Sequence, residues 1–222
     1  MGGRTAPELE FAREYQVSRV TVRQALAELV KDDLLERRRG SGTYVRERHR
    51  PLVYDLNLTL GTTAARLREQ GVPNRAEVVE RGRLAPPPGE LQHRLQIPAG
   101  GEAVFLVRRV FIDDEPTAVY RSWFSAARVP GIECSEGLKS SLSVVLDEEY
   151  GLVPTRSESA IEVVRSTREE VALVGSGHDA PMLVVTSTTY LADGRPLEFS
   201  QVTWLGDRVR FHVTSHDEQR DR

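Results

Sequence analysis

The segment from Ser18 to Thr43 constrains the fold more than any other part of the chain. In SRVTVRQALAELVKD (18–32), Val22, Ala25, Leu26, Leu29 and Val30 recur at i, i+3, i+4, i+7 and i+8, the spacing of one apolar helix face. Ser18 precedes the run and can cap its first turn. A second helical pattern, ELEFAREY (8–15), stands just before it. Just after it come two short extended pieces, 34–38 and 43–46, joined by Gly40, Ser41 and Gly42, which read as a β-hairpin with a glycine-rich tip. Helix, turn, helix and hairpin in that order are the parts of a winged helix-turn-helix.

Charge supports this division. The 222 residues carry 30 Lys and Arg against 33 Asp and Glu, a net charge of −3. Residues 1–50 hold 11 basic and 8 acidic residues, while the remaining 172 hold 19 and 25, so only one end is basic. Such an asymmetry points to a polyanionic partner at that end. A hydrophobic share of 39% and a charged share of 28% belong to a globular chain and exclude a disordered one. The single cysteine, Cys134, excludes a disulfide scaffold. No apolar run reaches the ~18 residues that span a bilayer, and no apolar leader opens the chain. These features predict a cytoplasmic protein with no membrane partner.

The helix over 18–32 meets the requirements of a DNA reader. Burying Val22, Ala25, Leu26 and Leu29 leaves Arg19, Val20, Thr21, Arg23 and Gln24 on the outer side. An arginine there can grip guanine with two hydrogen bonds or hold a phosphate, and Thr21 can bond a phosphate or touch a thymine methyl. Arg37, Arg38 and Arg39 run into Gly40-Ser41-Gly42-Thr43. There the glycines let backbone N–H groups approach a phosphate and the arginines add charge.

The stretch 46–57, charged and holding Pro51, separates this helical region from a β-rich one. We expect a DNA-binding domain over 1–48, a linker over 49–56, a second domain over 57–214 and a polar tail over 215–222. Within the second domain the pattern predicts helices over 63–69, 140–150 and 168–174. It predicts strands over 76–84, 103–112, 117–124, 157–165, 182–191 and 196–204, with turns at Asp113-Asp114 and Asp193-Gly194. The fold class is therefore α+β, a winged helix-turn-helix followed by a mainly antiparallel sheet.

The residues ELEFAREYQVSRVTVRQALAELVKDDLLERRRGSGTYV (8–45) resemble the DNA-binding domain of the GntR family of bacterial repressors. The resemblance rests on VSR-x-TVR-x-AL and on the R-G-x-GT-[FY]-V wing. It implies DNA contacts from Arg19, Thr21 and Arg23, and wing contacts at Arg39 and Gly40 with Thr43 nearby; Ser41 and Gly42 complete the tip. Family members usually begin with a further helix and a short strand, roughly 30 residues that are not seen here. This predicts either a misplaced start or an incomplete domain. Leu9 also stands where family members often place a DNA-contacting arginine.

Residues from about 52 to 213 resemble the UTRA effector domain of the HutC-type branch, through RRVFIDDEP (108–116), SLSVVLDEEYG (141–151) and YLADGRPLEFSQVTWLGDRVRF (190–211). The resemblance implies a chorismate-lyase-like fold, a homodimer, and a small effector such as a phosphorylated sugar or an amino-acid derivative. An anionic effector needs one or two arginines and a helix N-terminus. Arg108 and Arg109 lie inside an otherwise apolar strand. Alternation lets at most one of them face a given pocket, and the bland alternative is a sheet edge or pairing with Asp113 and Asp114. Ser140 and Ser141 open a helix, where a cap and an effector contact are compatible readings. Glu198 takes a position where family members often bond effector hydroxyls. Tyr120 replaces a frequent glutamate, and Trp204 replaces a common tyrosine with core packing as its first expected role.

Nothing in the sequence marks catalysis or a cofactor. The five histidines, His49, His93, His178, His212 and His216, form no metal-ligand pair at helical spacing. Cys134 sits in an expected loop without a base beside it, and no nucleophile elbow, Walker A loop or dinucleotide fingerprint is present. The sequence reading is an effector-responsive repressor that binds double-stranded operator DNA, uses no cofactor or metal, and is not an enzyme. Its alternatives are a chorismate-lyase-like enzyme or a truncated regulator that cannot bind DNA alone.

Overall fold

The structure, a computed structural model, describes residues 3–31, 34–38, 40–46, 52–55, 67, 71–139, 141–175 and 179–212. The chain forms two compact units, Met1–Pro51 and Leu52–Arg222.

The first unit contains α1 (Glu8–Glu14), α2 (Arg19–Lys31), β1 (Leu35–Arg38) and β2 (Gly42–Val45). The chain turns between the helices through Gln16 at φ 53°. The cap on α2 is the expected one, with the Thr21 N–H donating to Ser18 Oγ at 3.1 Å. The core is small: Val22, Leu26 and Leu35 are buried, with Phe11, Ala12 and Val30 packed against them. Two residues expected inside are not, for Ala25 is exposed and Leu29 is 38% exposed. Only α1 and β1 pack on α2 among the described residues, and together they cover a narrower stripe than the periodicity offers. β1 and β2 pair antiparallel, Arg38 opposite Gly42. A third extended piece joins them. Arg4 bridges Tyr44, the Val45 N–H donates to Gly3 O at 2.9 Å and the Thr5 N–H to Thr43 O at 2.9 Å. The short strand not seen in the sequence is thus supplied by residues 3–5.

The second unit contains β3 (Leu52–Asp55), β4 (Asn74–Leu84), α3 (Gly89–Leu95), β5 (Ala103–Ile112) and β6 (Glu115–Ser125). Two 3₁₀ turns follow, Ile132–Cys134 and Glu136–Lys139, then α4 (Leu142–Glu148), β7 (Arg156–Arg165), α5 (Arg168–Val174), β8 (Pro181–Tyr190), β9 (Pro196–Leu205) and β10 (Val209–His212). Six strands form one antiparallel sheet in the order β4-β5-β6-β9-β8-β7, and β10 pairs with β3 in parallel. A two-residue turn sets the register of the β5–β6 hairpin. Asp113 and Asp114 have φ of 51° and 62°, the left-handed pair that a tight hairpin demands. β3 lies inside the stretch read as a linker, and the expected helix over 63–69 falls outside the described residues apart from Leu67. No described helix is long and apolar enough to cross a membrane.

Helices cover both faces of the sheet. On one, α4 buries Leu142, Val145 and Leu146 against Val104, Leu106 and Phe124, and Leu67 packs with Val110, Ile112, Val202 and Trp204. On the other, α3 sets Leu91 and Leu95 against Ala103 and Phe199, and α5 sets Val174 against Val119, Met182 and Leu205. α5 begins with a reciprocal cap, the Glu170 N–H donating to Thr167 Oγ1 and the Thr167 N–H to Glu170.

Candidate DNA-binding surface and effector site

On α2, Arg19, Thr21 and Arg23 are all exposed, but they are held differently. The Arg23 guanidinium reaches back to α1 and donates to Glu8, Nη2 to Oε2 at 3.0 Å and Nε to both oxygens at 3.3 Å. That guanidinium holds the Glu8 carboxyl below its usual range. The Thr21 hydroxyl is shared with Ser18 Oγ at 2.8 Å. Arg19 takes no hydrogen bond or ion pair among the described residues and remains open for a ligand. Beside these lie two uncharged side chains, Leu9 at 46% and Val20 at 63% exposure.

At the wing, Gly40 and Gly42 adopt φ of 74° and 118°, conformations that L side chains rarely reach. The turn closes with the Ser41 N–H donating to Arg38 O at 3.0 Å, and Ser41 Oγ meets Tyr44 Oη at 2.7 Å. Thr43 is half-buried, and its carbonyl accepts from Thr5. Arg38 lies over the Tyr44 ring and pairs with Glu36, while Arg37 is exposed. Arg39 falls outside the described residues. Arg4, unnoticed in the sequence, lays its guanidinium against Gly42, within 2.9 Å of where a Cβ would stand. The wing therefore carries more charge than its own hairpin supplies.

In the sheet unit the register separates the two candidate arginines. Arg108 pairs across strands with Tyr120, and Tyr120 with Val202, on the face that α4 covers. Arg109 points to the opposite face, where it pairs with Glu77 at 2.7 Å and donates to Leu173 O. It does not join the cluster. Neither arginine pairs with the hairpin aspartates, since Asp114 meets Arg75 instead.

Arg108 is 6% exposed, and its Nε has no hydrogen-bond partner. Its guanidinium lies 5.7 Å from the centre of the Tyr120 ring. Burial pushes its pKa below the ordinary value, with Glu198 and Tyr120 opposing that shift. Two residues along β6 from Tyr120, and on the same face, Ser122 is fully buried with an unpartnered hydroxyl. Ser122 pairs with Ser200, two residues from Glu198 on that face. Arg108 and Glu198 therefore reach toward each other across Ser122. Burial raises the Glu198 pKa above the usual carboxylate range, and the nearby Ser122 hydroxyl and Arg108 charge offset part of that rise. A row of hydroxyls continues outward from Ser122 through Ser200 and Ser187 to Ser159. Ser187 and Ser159 lie 2.8 Å apart through Oγ. Thr189, opposite Glu198, has a buried hydroxyl without a partner.

The other expected effector residues stand apart. Trp204 is 2% exposed and packs edge-on against Tyr120 and Phe211 at 5.8 and 6.3 Å, so its place is core packing. Ser141 is the N-cap residue of α4, but its side chain makes no cap and its hydroxyl meets Ser143 Oγ at 3.0 Å. Ser140 lies outside the described residues. Sequence reasoning missed Ser122 and Thr189, because an isolated hydroxyl in a strand carries no pattern. On the opposite face a cleft of about 490 Å³ lies between His93, Arg94 and Gln96 and strand residues including Glu158, Thr186 and Thr188. Its arginine is already paired with Glu90 and none of its lining groups is buried without a partner. The Arg108 cluster is the stronger candidate for a ligand site.

Comparison with known proteins covers both units. Residues 3–45 match the bacterial regulatory proteins of the gntR family, and residues 69–210 match the UTRA domain. The chain is 33% identical over 205 residues to the mannosyl-D-glycerate transport/metabolism system repressor MngR of Escherichia coli K12, spanning 92% of this chain and 83% of that protein. It is 28% identical over 209 residues to the HTH-type transcriptional repressor NagR of Bacillus subtilis, spanning 92% and 82%. Among solved structures, PhnF from Mycobacterium smegmatis superposes with a TM-score of 0.71 at 26% identity, over 98% of this chain and 94% of that one.

Proposed function

The chain belongs to the GntR family of bacterial regulatory proteins, in the HutC-type branch that carries a UTRA domain, and from that premise we propose how its residues divide the work. It is an effector-responsive DNA-binding transcriptional regulator of the repressor type, and it is not an enzyme. The lyase-like alternative is set aside with that.

Operator recognition falls to the outer side of α2. Arg19 reads a base or holds a phosphate, Thr21 and the Ser18 cap fix the helix start, and Arg23 is placed by Glu8. Arg37 and Arg4 neutralise backbone phosphates from the wing while the amides of Gly40, Ser41 and Gly42 donate to them, and Arg39 and Thr43 are assigned the same contacts. A symmetric dimer sets two such helices in successive major grooves of a pseudo-palindrome in the cytoplasm. The effector occupies the sheet face under Arg108, Tyr120, Ser122 and Glu198. By binding one arrangement of the dimer better than the other it releases the operator, with a coupling of ~1–3 kcal/mol. The observation that carries this reading is Arg108, a buried guanidinium with an unpartnered Nε, since a group of that kind calls for an anion.

The test is fluorescence anisotropy of the 222-residue chain with DNA from its own upstream region at several salt concentrations. The expected result is sequence-selective binding with a steep salt slope, and its loss in Arg19→Ala. Salt-steep binding that ignores sequence and survives Arg19→Ala would remove α2 from the reading role.

A further inference from the structure

Resting on the reading that the Arg108 cluster is the effector site, we propose that the effector is a zwitterion, a molecule carrying both an anionic group and an ammonium. Arg108 takes the anionic group and Glu198 takes the ammonium. Ser122, whose hydroxyl acts on the Glu198 carboxyl, stands between them, and Thr189 offers an unpartnered hydroxyl beside them.

The argument is one of charge balance in a buried place. Arg108 is buried, and a guanidinium keeps its proton inside a protein. It therefore requires a negative partner, and neither Glu198 nor any other described carboxylate pairs with it. Glu198 faces the same Ser122 from the far side, so an anion brought to Arg108 also approaches a carboxyl group. A phosphate dianion would place two negative charges near a third acidic group over a single arginine. An uncharged polyol would leave the guanidinium with only the Glu198 charge beyond Ser122 to balance it and no anion in contact, a costly outcome for an ion out of water. A zwitterion satisfies both ends, one acceptor for Arg108 Nε and one donor for the Glu198 carboxyl, with no net charge added. The register fixes the order of the groups. Cation, hydroxyl and carboxyl lie along one diagonal of the sheet face across β5, β6 and β9, so the two charged ends of the ligand point in opposite directions along it.

The experiment titrates the full chain with three kinds of probe: the common L-α-amino acids, glucose 6-phosphate, and glucose. Binding is read by calorimetry for the natural sequence, Arg108→Gln and Glu198→Gln, with melting curves to show that each variant folds. The expected result is that one or more amino acids bind, and that each substitution weakens them at least tenfold. Glu198→Gln keeps the shape of the side chain, so it carries the test alone if Arg108→Gln does not fold. Tighter binding of glucose 6-phosphate, lost in Arg108→Gln and strengthened in Glu198→Gln, would overturn the zwitterion while leaving the effector site in place. A probe that binds the natural chain and both variants equally would remove the site itself. Binding by none of the three kinds also overturns the zwitterion.

Discussion

Arg19 and Arg23 stand one turn apart on α2, and only the second is tethered. Replacing Arg19 by Ala should cost ~1–3 kcal/mol of operator affinity if it reads a base, measured by anisotropy against matched and scrambled sites. Glu8→Gln should free Arg23 for phosphate contact and steepen the salt slope by about one. An unchanged slope would mean that Arg23 points at DNA whether tethered or not. The same pair predicts a pH effect. The Glu8 carboxyl is held low by Arg23, so its stabilising share is present above the ordinary carboxylate value and is lost as pH falls through the depressed one. A carboxyl titration followed by NMR should show Glu8 returning toward the ordinary value in Arg23→Ala. Glu198 behaves in the opposite sense. Its pKa is raised by burial, so the folded state holds the proton more tightly and stability falls as pH climbs from the ordinary value through the raised one. Melting curves of Glu198→Gln should lack that decline.

The strand Ala103–Ile112 and the helix Arg168–Val174 have the bounds their patterns predict, because both are flanked by strong turn or cap chemistry and have long apolar alternation or a clear start. The Thr167 cap is a case to measure, and Thr167→Ala should lower stability by ~1 kcal/mol in thermal melts. α3 escaped notice because seven residues after Pro86-Pro87-Pro88 show one apolar pair, Leu91 and Leu95, too little for a period to emerge. β3 and β10 escaped for a different reason: four-residue strands owe their existence to a distant partner and not to local propensity. The wing tip was legible from its glycines, whereas the strand at Arg4 was not, since one bridge leaves no sequence pattern. Gly42→Ala tests that tip. A Cβ there would meet the Arg4 guanidinium at 2.9 Å in a φ that alanine resists, so the substitution should displace Arg4 and weaken DNA binding by anisotropy. The candidate effector site was half legible. Alternation showed that Arg108 and Arg109 must part, but choosing between them needed the register that places Tyr120 and Ser122 beside Arg108.

For the molecule as a whole, the family and its two matched domains fix the logic of a regulator, and the chain's charge asymmetry follows it. The basic excess lies in the unit that meets a polyanion, and the acidic excess lies in the unit that binds a small molecule. The parallel pairing of β3 with β10 also bears on how the protein is made. Leu52 and Val209 are partners, although more than 150 residues separate them. A ribosome delivers β3 before, and β10 after, all six strands of the main sheet, so β3 must wait through the synthesis of that sheet for its neighbour. Contacts of such long range form late. The α4-bearing sheet can assemble before that moment from hairpins of adjacent strands, but the seam where the second unit begins closes only once Val209–His212 has been made. A nascent chain halted before Val209 would thus carry a sheet with its starting strand still untied.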